Sequence, residues 1–381
     1  MQLTPVEYLS RFGQLFEGWL FPRVEEEVGP LGRPAQLLVQ VLSMAPLDPW
    51  LRRGRGPGRP PEHRHALAAA FIAKAVYNFV TTRQLMEQLR TNTQMRRLCG
   101  WQAASELPHE STFSRAFADF ATTELPQRLH EALIIASQGR RLIGHISRDA
   151  TAIEARERFP EPAVSPQKKG RRVKYRKRPK QAKAAERGTQ IERQRHMKLA
   201  KMLSELPRQC AIGVKKSSKG YTQCWRGYKL HLDVADGQIP ISAILTGANV
   251  HDATVAIPLM RMSAQRVTWL YDLMDSAYDA DAILEQCRAM NHVPIVDPHP
   301  RRAGKSKSML PKVFPAKAVP ELTWAQQDRF KERATVERVY ARLKDEFGGR
   351  HTRVRGPAKV FAHLGFGLLA LTVDQLLKLT G

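Results

Sequence analysis

The 381-residue sequence predicts a mixed α/β sheet flanked by helices, preceded by an all-α N-terminal region. Residues 1–135 carry apolar side chains at helical spacing, whereas short alternating segments after Arg141 indicate strands. The apolar share of 43% and the charged share of 25% are those of a folded globular protein. We therefore expect a helical part over 1–135 and an α/β part over 140–381, each large enough to bury its own core.

Three segments of the N-terminal part have the apolar spacing of helices. Their apolar residues are Leu67, Phe71, Ile72, Ala75 and Val76; Leu85, Met86 and Leu89; and Phe113, Phe117 and Phe120. The third helix is predicted to begin at Ser111 as its N-cap and to expose Arg115. Short helices ending in a small polar one are typical of a helix-turn-helix, whose last helix, here with Arg115, reads DNA. A helical dimerisation domain is the alternative.

A basic linker runs through residues 51–65. It contains Arg55 and Arg59, and its Gly58-Arg59-Pro60 resembles the core of an AT-hook, which lies in the minor groove of DNA. Both arginines are therefore candidate DNA contacts. A solvated linker before a helix is an equally good interpretation.

The strands of the second part follow from alternation and turn signals. The first is predicted over residues 142–149, and an Asp236-Gly237 turn predicts a hairpin of residues 228–234 and 239–245. A fourth strand over 267–273, a helix over 281–290, a strand over 293–296 and one long helix over 323–347 complete the order. Thr323 and Gln326 suit a capping box at the start of that helix.

A long basic insertion, residues 156–220, separates the first strand from the hairpin. Its densest part, residues 167–187, has eleven Lys and Arg residues and one acid, Glu186. Such a block repels itself and stays extended until phosphates neutralise it, which favours nucleic-acid contact over a solubilising loop. The candidate DNA contacts in it are Lys168, Lys169, Arg171, Arg172, Arg176 and Arg178.

The overall charge points the same way. With 61 Lys and Arg residues against 36 Asp and Glu, the chain has a formal net charge of +25, which predicts a polyanionic partner. No uninterrupted apolar stretch is long enough to cross a bilayer, and residues 361–379 are predicted to be a buried helix. The sequence lacks a long basic amphipathic helix with bulky apolar residues, which disfavours binding to a membrane surface.

Compartment follows from two further features. The N-terminus lacks the pattern of a secretory signal. The four cysteines are widely spaced and indicate reduced thiols, with neither a disulfide framework nor a zinc site. We expect a cytoplasmic protein that binds DNA or RNA.

Three acids stand out in so basic a chain. Asp149 ends the first predicted strand, Asp275 follows the fourth, and Glu337 lies midway along the long helix. If those strands are neighbours, the helix can bring Glu337 beside both aspartates. Three close carboxylates need cations, and their oxygen ligands suit Mg²⁺ or Mn²⁺. Two such ions, roughly 3.5–4 Å apart, would support phosphodiester cleavage.

The spacing around Glu337 supports this interpretation. On one continuous helix, Phe330, Arg333, Glu337 and Lys344 fall within about a 60° arc, so Arg333 and Lys344 are placed to grip phosphates. An Arg333–Glu337 surface pair is the simpler alternative, but it leaves Lys344 without a role. Asp252, Asp272 and Asp279 compete with Asp275 as metal ligands, and His251 is expected to be structural.

These residues resemble the bacterial insertion-sequence transposases of the DDE class, whose catalytic domain has a ribonuclease-H-like fold. Phe330, Arg333, Glu337 and Lys344 reproduce the family's Tyr-Arg-Glu-Lys helix signature, with Phe in place of Tyr. Asp149-Ala150-Thr151 and Asp275-Ser276-Ala277-Tyr278-Asp279 are similar to its two aspartate motifs. Residues 249–252 and 109–115 are also similar to segments of the family.

The resemblance implies a DNA transposase of the bacterial cytoplasm, associated with the nucleoid. Asp149, Asp275 and Glu337 would hold two Mg²⁺ or Mn²⁺ ions, Arg333 and Lys344 would position DNA, and Phe330 could stack on a base or sugar. Terminal inverted repeats would be cut and the 3′-OH ends joined to target DNA by a homodimer or larger synaptic complex.

Two other functions fit the same residues. One is a domesticated transposase that binds DNA without cutting it, although all three carboxylates are present. The other is a different metal-dependent nuclease of the ribonuclease-H-like fold, which the helical region and the basic insertion disfavour.

Overall fold

The computed structural model describes residues 5–51, 63–157, 189–216, 221–297 and 323–379. The helices that precede the sheet are α1 (Pro5–Leu15), α2 (Phe21–Val28), α3 (Arg33–Met44), α4 (Arg64–Val76), α5 (Thr82–Thr91), α6 (Thr93–Leu98), α7 (Glu110–Thr122) and α8 (Leu125–Gln138). The strands are β1 (Leu142–Glu154), β2 (Ala211–Lys216), β3 (Thr222–Ala235), β4 (Ile239–Gly247), β5 (Thr268–Met274) and β6 (Val293–Val296). The remaining helices are α9 (Gln190–Gln194), α10 (Leu199–Glu205), α11 (Ala253–Ala264), α12 (Asp281–Ala289), α13 (Trp324–Lys331), α14 (Thr335–Asp345) and α15 (Pro357–Lys378).

The six strands form one mixed sheet. Its order is β2-β3-β1-β5-β6, with β4 also paired to β3. β1, β5 and β6 run parallel, whereas β3 is antiparallel to β1, β2 and β4. This arrangement confirms the predicted mixed sheet with a helical region before it, and it is consistent with a ribonuclease-H-like fold. The predicted adjacency of the first strand and the strand before Asp275 is also confirmed.

The hairpin forms where the turn signal predicts it. Residues 236–238 connect β3 to β4, and Gly237 has a φ of 75°, which a side chain would strain. β3 is longer than predicted because its first half, residues 222–227, pairs with β2. β2, α9 and α10 lie in the described part of the insertion, where the sequence predicted no helix or strand. The block predicted to be extended, residues 167–187, lies outside the described residues.

Three predicted boundaries are wrong. β1 does not end at Asp149 but continues to Glu154, because β3 goes on pairing with it after β5 has ended. The long helix over 323–347 is interrupted by a 3₁₀ turn at Glu332–Ala334, although its capping box is present. Helix α7 is capped by the His109 ring, which accepts from the Ser111 amide, rather than by Ser111 itself.

The C-terminal helix α15 joins the helical region to the sheet. Its length and hydropathy would suit a membrane span, yet most of it is buried inside the protein. It contacts α3, α4, α7, α8, α14 and β4. One apolar core therefore extends from the N-terminal helices through α15 to the sheet, and the predicted buried helix is confirmed.

Candidate active site

The two candidate aspartates lie side by side where the parallel pairing of β1 with β5 stops. Arg148 and Met274 form the last pair between β1 and β5, so Asp149 and Asp275 are the next residues of the two strands. Asp149 Oδ1 accepts from the Ala150 amide at 2.7 Å. Asp275 caps the following turn, its Oδ1 accepting from the Ala277 amide at 2.9 Å. Each backbone bond fixes one carboxylate oxygen.

The electrostatics agree with this proximity. Burial raises the pKa of Asp149 to about 6; Asp275 and Asp252 add to the rise, and the Ala150 amide and Arg333 oppose it. Burial likewise raises the pKa of Asp275, against the Ala277 amide and the Arg333 guanidinium. Both carboxylates are thus short of positive charge, which is the condition in which a cation binds best.

Glu337 forms an ion pair with Arg333. Its Oε1 accepts from Arg333 Nη2 at 3.0 Å, and more than half of its side chain is exposed. Arg333 also lowers the pKa of both aspartates, so its charge acts on the pair as well as on Glu337. Within the described ranges, no three acidic, histidine or cysteine side chains are placed to share a metal ion. The structure therefore brings together Asp149 and Asp275 but not Glu337.

Helix α14 is docked on β1 through alternate residues of the strand. Ser147 Oγ donates to the Glu332 carbonyl at 3.0 Å, and Lys344 Nζ donates to Thr151 Oγ1 at 2.7 Å. Between them, the Tyr340 hydroxyl donates to the Asp149 carbonyl at 2.6 Å and accepts from the Leu232 amide at 3.1 Å. Because alternate residues share one face of a strand, the Asp149 side chain lies on the face that α14 covers.

The predicted single helix face is wrong in part. Phe330 belongs to α13 and Arg333 to the 3₁₀ turn, so both precede α14, the helix that bears Glu337 and Lys344. The Glu332 carbonyl at that turn accepts the Ser147 hydroxyl, a tertiary contact that no local signal announces. The Arg333–Glu337 contact survives the interruption, and the Phe330 ring lies 5.9 Å from the Arg333 guanidinium.

A buried hydroxyl beside the pair has no hydrogen-bond partner among the described residues. Tyr278 is 1% exposed, and its oxygen is one of the unpaired buried atoms. Burial raises its pKa well above the ordinary value, and Asp252, Asp149, Tyr340 and Asp275 reinforce the rise. An orphaned donor and two oxygen ligands suit a hydrated divalent cation, so Asp149 and Asp275 fit such an ion.

The competing acids fall in other places. Asp272 of β5 is completely buried, where it forms an ion pair with Arg148, and is not available as a ligand. Asp252 pairs with Lys229 at 2.9 Å but still influences both candidate aspartates. His251 Nδ1 accepts from the Ala253 amide at 3.3 Å at the start of α11, and Asp279 closes the turn after Asp275.

The structure describes only some of the predicted DNA contacts. Arg115 is exposed on α7, where its Nη2 lies 3.4 Å from Thr112 Oγ1. Phe113, Phe117 and Phe120 are buried as predicted. The predicted contacts that lie outside the described residues are Arg55, Arg59, Lys168, Lys169, Arg171, Arg172, Arg176 and Arg178.

The sequence interpretation missed a second basic segment. Residues 348–356, here called the basic strap, join α14 to α15 and expose Arg350, Arg353 and Arg355, while Thr352 is buried and Val354 packs on the core. Within the described part of the chain, Arg353 and Arg355 have no ion-pair partner. The alternation of basic and smaller residues over 350–355 was the available signal.

The strap follows β1 away from the aspartates. At its start the charge of Arg350 reaches Lys344, whose pKa burial lowers first and Arg350 lowers further. At its end the Gly356 amide donates to Glu157 Oε1 at 2.8 Å, just beyond β1. Lys215 of β2 lowers the pKa of both Asp275 and Lys344. The charges of the strap and of β2 therefore both reach Lys344, and that of Lys215 also reaches Asp275.

Comparison with known protein families agrees with this geometry. Residues 149–373, more than half of the chain, match the family model described as "Transposase DDE domain". Residues 23–119 match the model described as "Transposase domain (DUF772)", which covers helices of the N-terminal region. No curated protein matches the chain. Members of the DDE family are in general DNA-binding enzymes that use divalent metal. The match begins at Asp149 and ends within α15, and the chain therefore belongs to the family of DDE transposases.

Proposed function

We propose that the protein binds the terminal inverted repeats of its own element, cleaves their phosphodiester bonds and joins the 3′-OH ends to target DNA. The observation that carries this proposal is the Asp149–Asp275 pair where the parallel pairing of β1 with β5 stops, covered by the helix that bears Glu337 and Lys344. Family membership supplies the class of reaction, and this pair supplies a position for it.

Asp149 and Asp275 would hold Mg²⁺ or Mn²⁺, two ions in the complete site. Such ions activate water or a 3′-hydroxyl and stabilise the leaving oxygen of the phosphodiester. Glu337 would complete the ligand set by turning from Arg333, whose guanidinium now donates to its Oε1. A DNA phosphate could replace Glu337 as the ion-pair partner of Arg333, and Glu337 would then be available to the metal.

The cations would set the path of the DNA. Arg333, once released, lies beside both aspartates and can bind the phosphate next to the scissile bond. Lys344 is held by Thr151, and the basic strap continues from it along β1 towards Glu157. From Thr151 to Glu157 an extended chain covers about 20 Å, close to six phosphates of one DNA strand. Strap and pair would therefore engage one duplex.

Assembly and location follow from the same reaction. Joining two element ends to one target requires that both ends be held together, so we propose a homodimer or a larger synaptic complex on DNA. The site of action would be the bacterial cytoplasm, at the nucleoid.

The test is strand cleavage and strand transfer on a labelled element end with Mg²⁺ or Mn²⁺. Asp149→Asn, Asp275→Asn and Glu337→Gln are each expected to abolish both reactions and to retain specific end binding. Asp328→Asn, an exposed aspartate of α13 that pairs only locally with Lys331, is the matched control and should react as wild type. Full activity in any of the three variants would remove that residue from the site, and failure of the wild type to cut its own ends would refute the proposal.

A further inference from the structure

A charged network lies buried directly behind the acidic pair. Arg148, Asp233 and Asp272 come from the three neighbouring strands β1, β3 and β5, and all three side chains are 0% exposed. None of them lies on the face that α14 covers, because Arg148 alternates with Ser147 and Asp149 along β1. The site described above does not use this network.

Arg148 connects the two other strands. Its Nε and Nη2 donate to Asp233 Oδ1 and Oδ2 at 2.7 and 2.9 Å, a bidentate pair between residues directly opposite in the sheet. Its Nη1 lies 3.1 Å from Asp272 Oδ1, at ion-pair distance, and 3.3 Å from Met274 Sδ. The planar guanidinium thus holds Asp233 by two hydrogen bonds and Asp272 by charge, and a lysine could not make the bidentate contact.

Outer contacts attach the network to its surroundings. The Ser263 hydroxyl of α11 donates to Asp233 Oδ2 at 2.6 Å. His292, immediately before β6, places Nδ1 3.2 Å from Asp272 Oδ2, and its ring lies 3.9 Å from the Trp269 ring. The network therefore joins three strands, one helix and the residue before β6, close to where the pairing of β1 with β5 stops.

Stability alone does not explain such a network. Well-packed apolar residues commonly replace a buried ion pair without loss of stability, whereas removal of a single partner leaves an uncompensated charge. A bidentate arginine instead supplies fixed geometry. Geometry is needed here, because Arg148 and its contact Met274 immediately precede the two aspartates, whose like charges push the strand ends apart.

We propose that Arg148, with Asp233 and Asp272, is a positioning residue that fixes the separation of Asp149 and Asp275 for metal binding. This inference rests on the proposed function and deepens it. In this proposal none of the three residues touches DNA or metal. They act by holding β1 and β5 at a fixed separation next to the two aspartates.

The test compares three variants with wild type. Arg148→Lys keeps the positive charge but cannot make the bidentate contact with Asp233. The triple variant R148M/D233L/D272L removes all three charges together. Ser263→Ala removes one hydroxyl from Asp233, and Ser137→Ala, another completely buried serine whose hydroxyl bonds only within its own helix α8, is its matched control. The readouts are Tm, the Mn²⁺ concentration that gives half of the maximal Tm increase, DNA-end binding, and cleavage.

We expect the triple variant to fold with a Tm near that of wild type and to bind DNA ends within about 2-fold. Its Mn²⁺ midpoint should rise at least 10-fold and its cleavage rate should fall at least 10-fold. Arg148→Lys should move the same way, and Ser263→Ala should raise the midpoint about 2–3-fold, while Ser137→Ala should not. A folded triple variant or Ser263→Ala with the wild-type Mn²⁺ midpoint would overturn the proposal. If the wild type binds Mn²⁺ but cuts no DNA, the proposed function fails, and the midpoints still decide on the network.

Discussion

Asp149 combines two properties that oppose each other in the free protein. Its carboxylate is half-buried and has Asp275 as a neighbour, which disfavours its charge, yet a metal ligand must be charged. The Ala150 amide and Arg333 offset only part of this cost. The sequence correctly predicted that the strands bearing the two aspartates are neighbours. It placed Asp149 at the end of its strand, whereas Asp149 lies within β1, at the point where the pairing with β5 stops. The contact between Glu337 and Arg333 depends on side-chain rotamers, and spacing left it as one of two alternatives.

Asp149→Asn should stabilise the metal-free protein at neutral pH. With a folded pKa near 6 against an ordinary 3.8, the carboxyl is protonated in both states below pH 4 and has no effect there. As pH rises from 4 to 6, the unfolded chain loses this proton first, so the folded state loses stability. The full cost, above pH 6, is at most about 3 kcal/mol. Melting curves in EDTA should show variant and wild type equal near pH 4 and the variant higher at pH 7. A difference that does not change with pH would contradict this account.

Tyr340→Phe should weaken the attachment of α14 to β1 and β3 beside the acidic pair. The Tyr340 hydroxyl contacts the backbone of both β1 and β3, so its loss leaves the buried Asp149 carbonyl and Leu232 amide without it. We expect a loss of about 1–3 kcal/mol in unfolding free energy, measured by urea denaturation, and slower cleavage. Tyr271→Phe, which keeps the ring that stacks under Arg329, is the control. Wild-type stability and cleavage in Tyr340→Phe would show that this anchor is dispensable.

At the level of helices and strands, the apolar pattern predicted packing faces better than boundaries. Val336, Val339, Tyr340, Leu343 and Phe347 recur at helical spacing, and all five are buried. The 3₁₀ turn before them could not be predicted, because neither Gly nor Pro marks it and its carbonyl contact comes from β1. The extension of β1 likewise depends on its partner β3. Local periodicity reports which face is apolar, whereas tertiary partners decide where an element ends.

The basic strap should contribute to DNA affinity through charge alone. Arg353→Gln together with Arg355→Gln removes two exposed cations with no ion-pair partner among the described residues, so Tm should not change. The slope of log affinity against log salt for a duplex element end should fall by up to about 1.8, or about 0.9 for each lost phosphate contact. Fluorescence anisotropy across a salt series measures this slope.

Arg193→Gln together with Arg288→Gln is the control pair, two exposed arginines of α9 and of α12. This pair should leave the slope unchanged. An unchanged slope in the strap variant, or an equal loss in the control, would exclude the strap as a specific DNA path.

Taken as a whole, the chain is built around a core shared by its helical and α/β parts. Phe366 of α15 lies 6.1 Å from the Phe71 ring of α4 and 6.4 Å from the Phe117 ring of α7. The sequence correctly predicted a helical region, a mixed sheet and a buried C-terminal helix. It could not show that this last helix packs against the first ones, since no local pattern records contacts between residues almost 300 positions apart. The division at about residue 135–140 stays a prediction.

Phe366→Ala should therefore weaken both parts together. Loss of this buried ring is expected to cost about 3–5 kcal/mol. Native-state hydrogen exchange should show the same loss of protection for the slowest amides of α4 and of β1. Ile135→Ala, at a half-exposed position on α8, should have little effect. Reduced protection in α4 with unchanged β1 would indicate two independent cores.

The most direct measurement of the central claim is anomalous diffraction from crystals grown with Mn²⁺ and an element-end duplex. We expect a peak within about 2.0–2.6 Å of a carboxylate oxygen of both Asp149 and Asp275, with Glu337 turned from Arg333 towards the metal. The peak should disappear in Asp275→Asn. Mn²⁺ bound at other residues while Asp149 and Asp275 remain without metal would contradict the account.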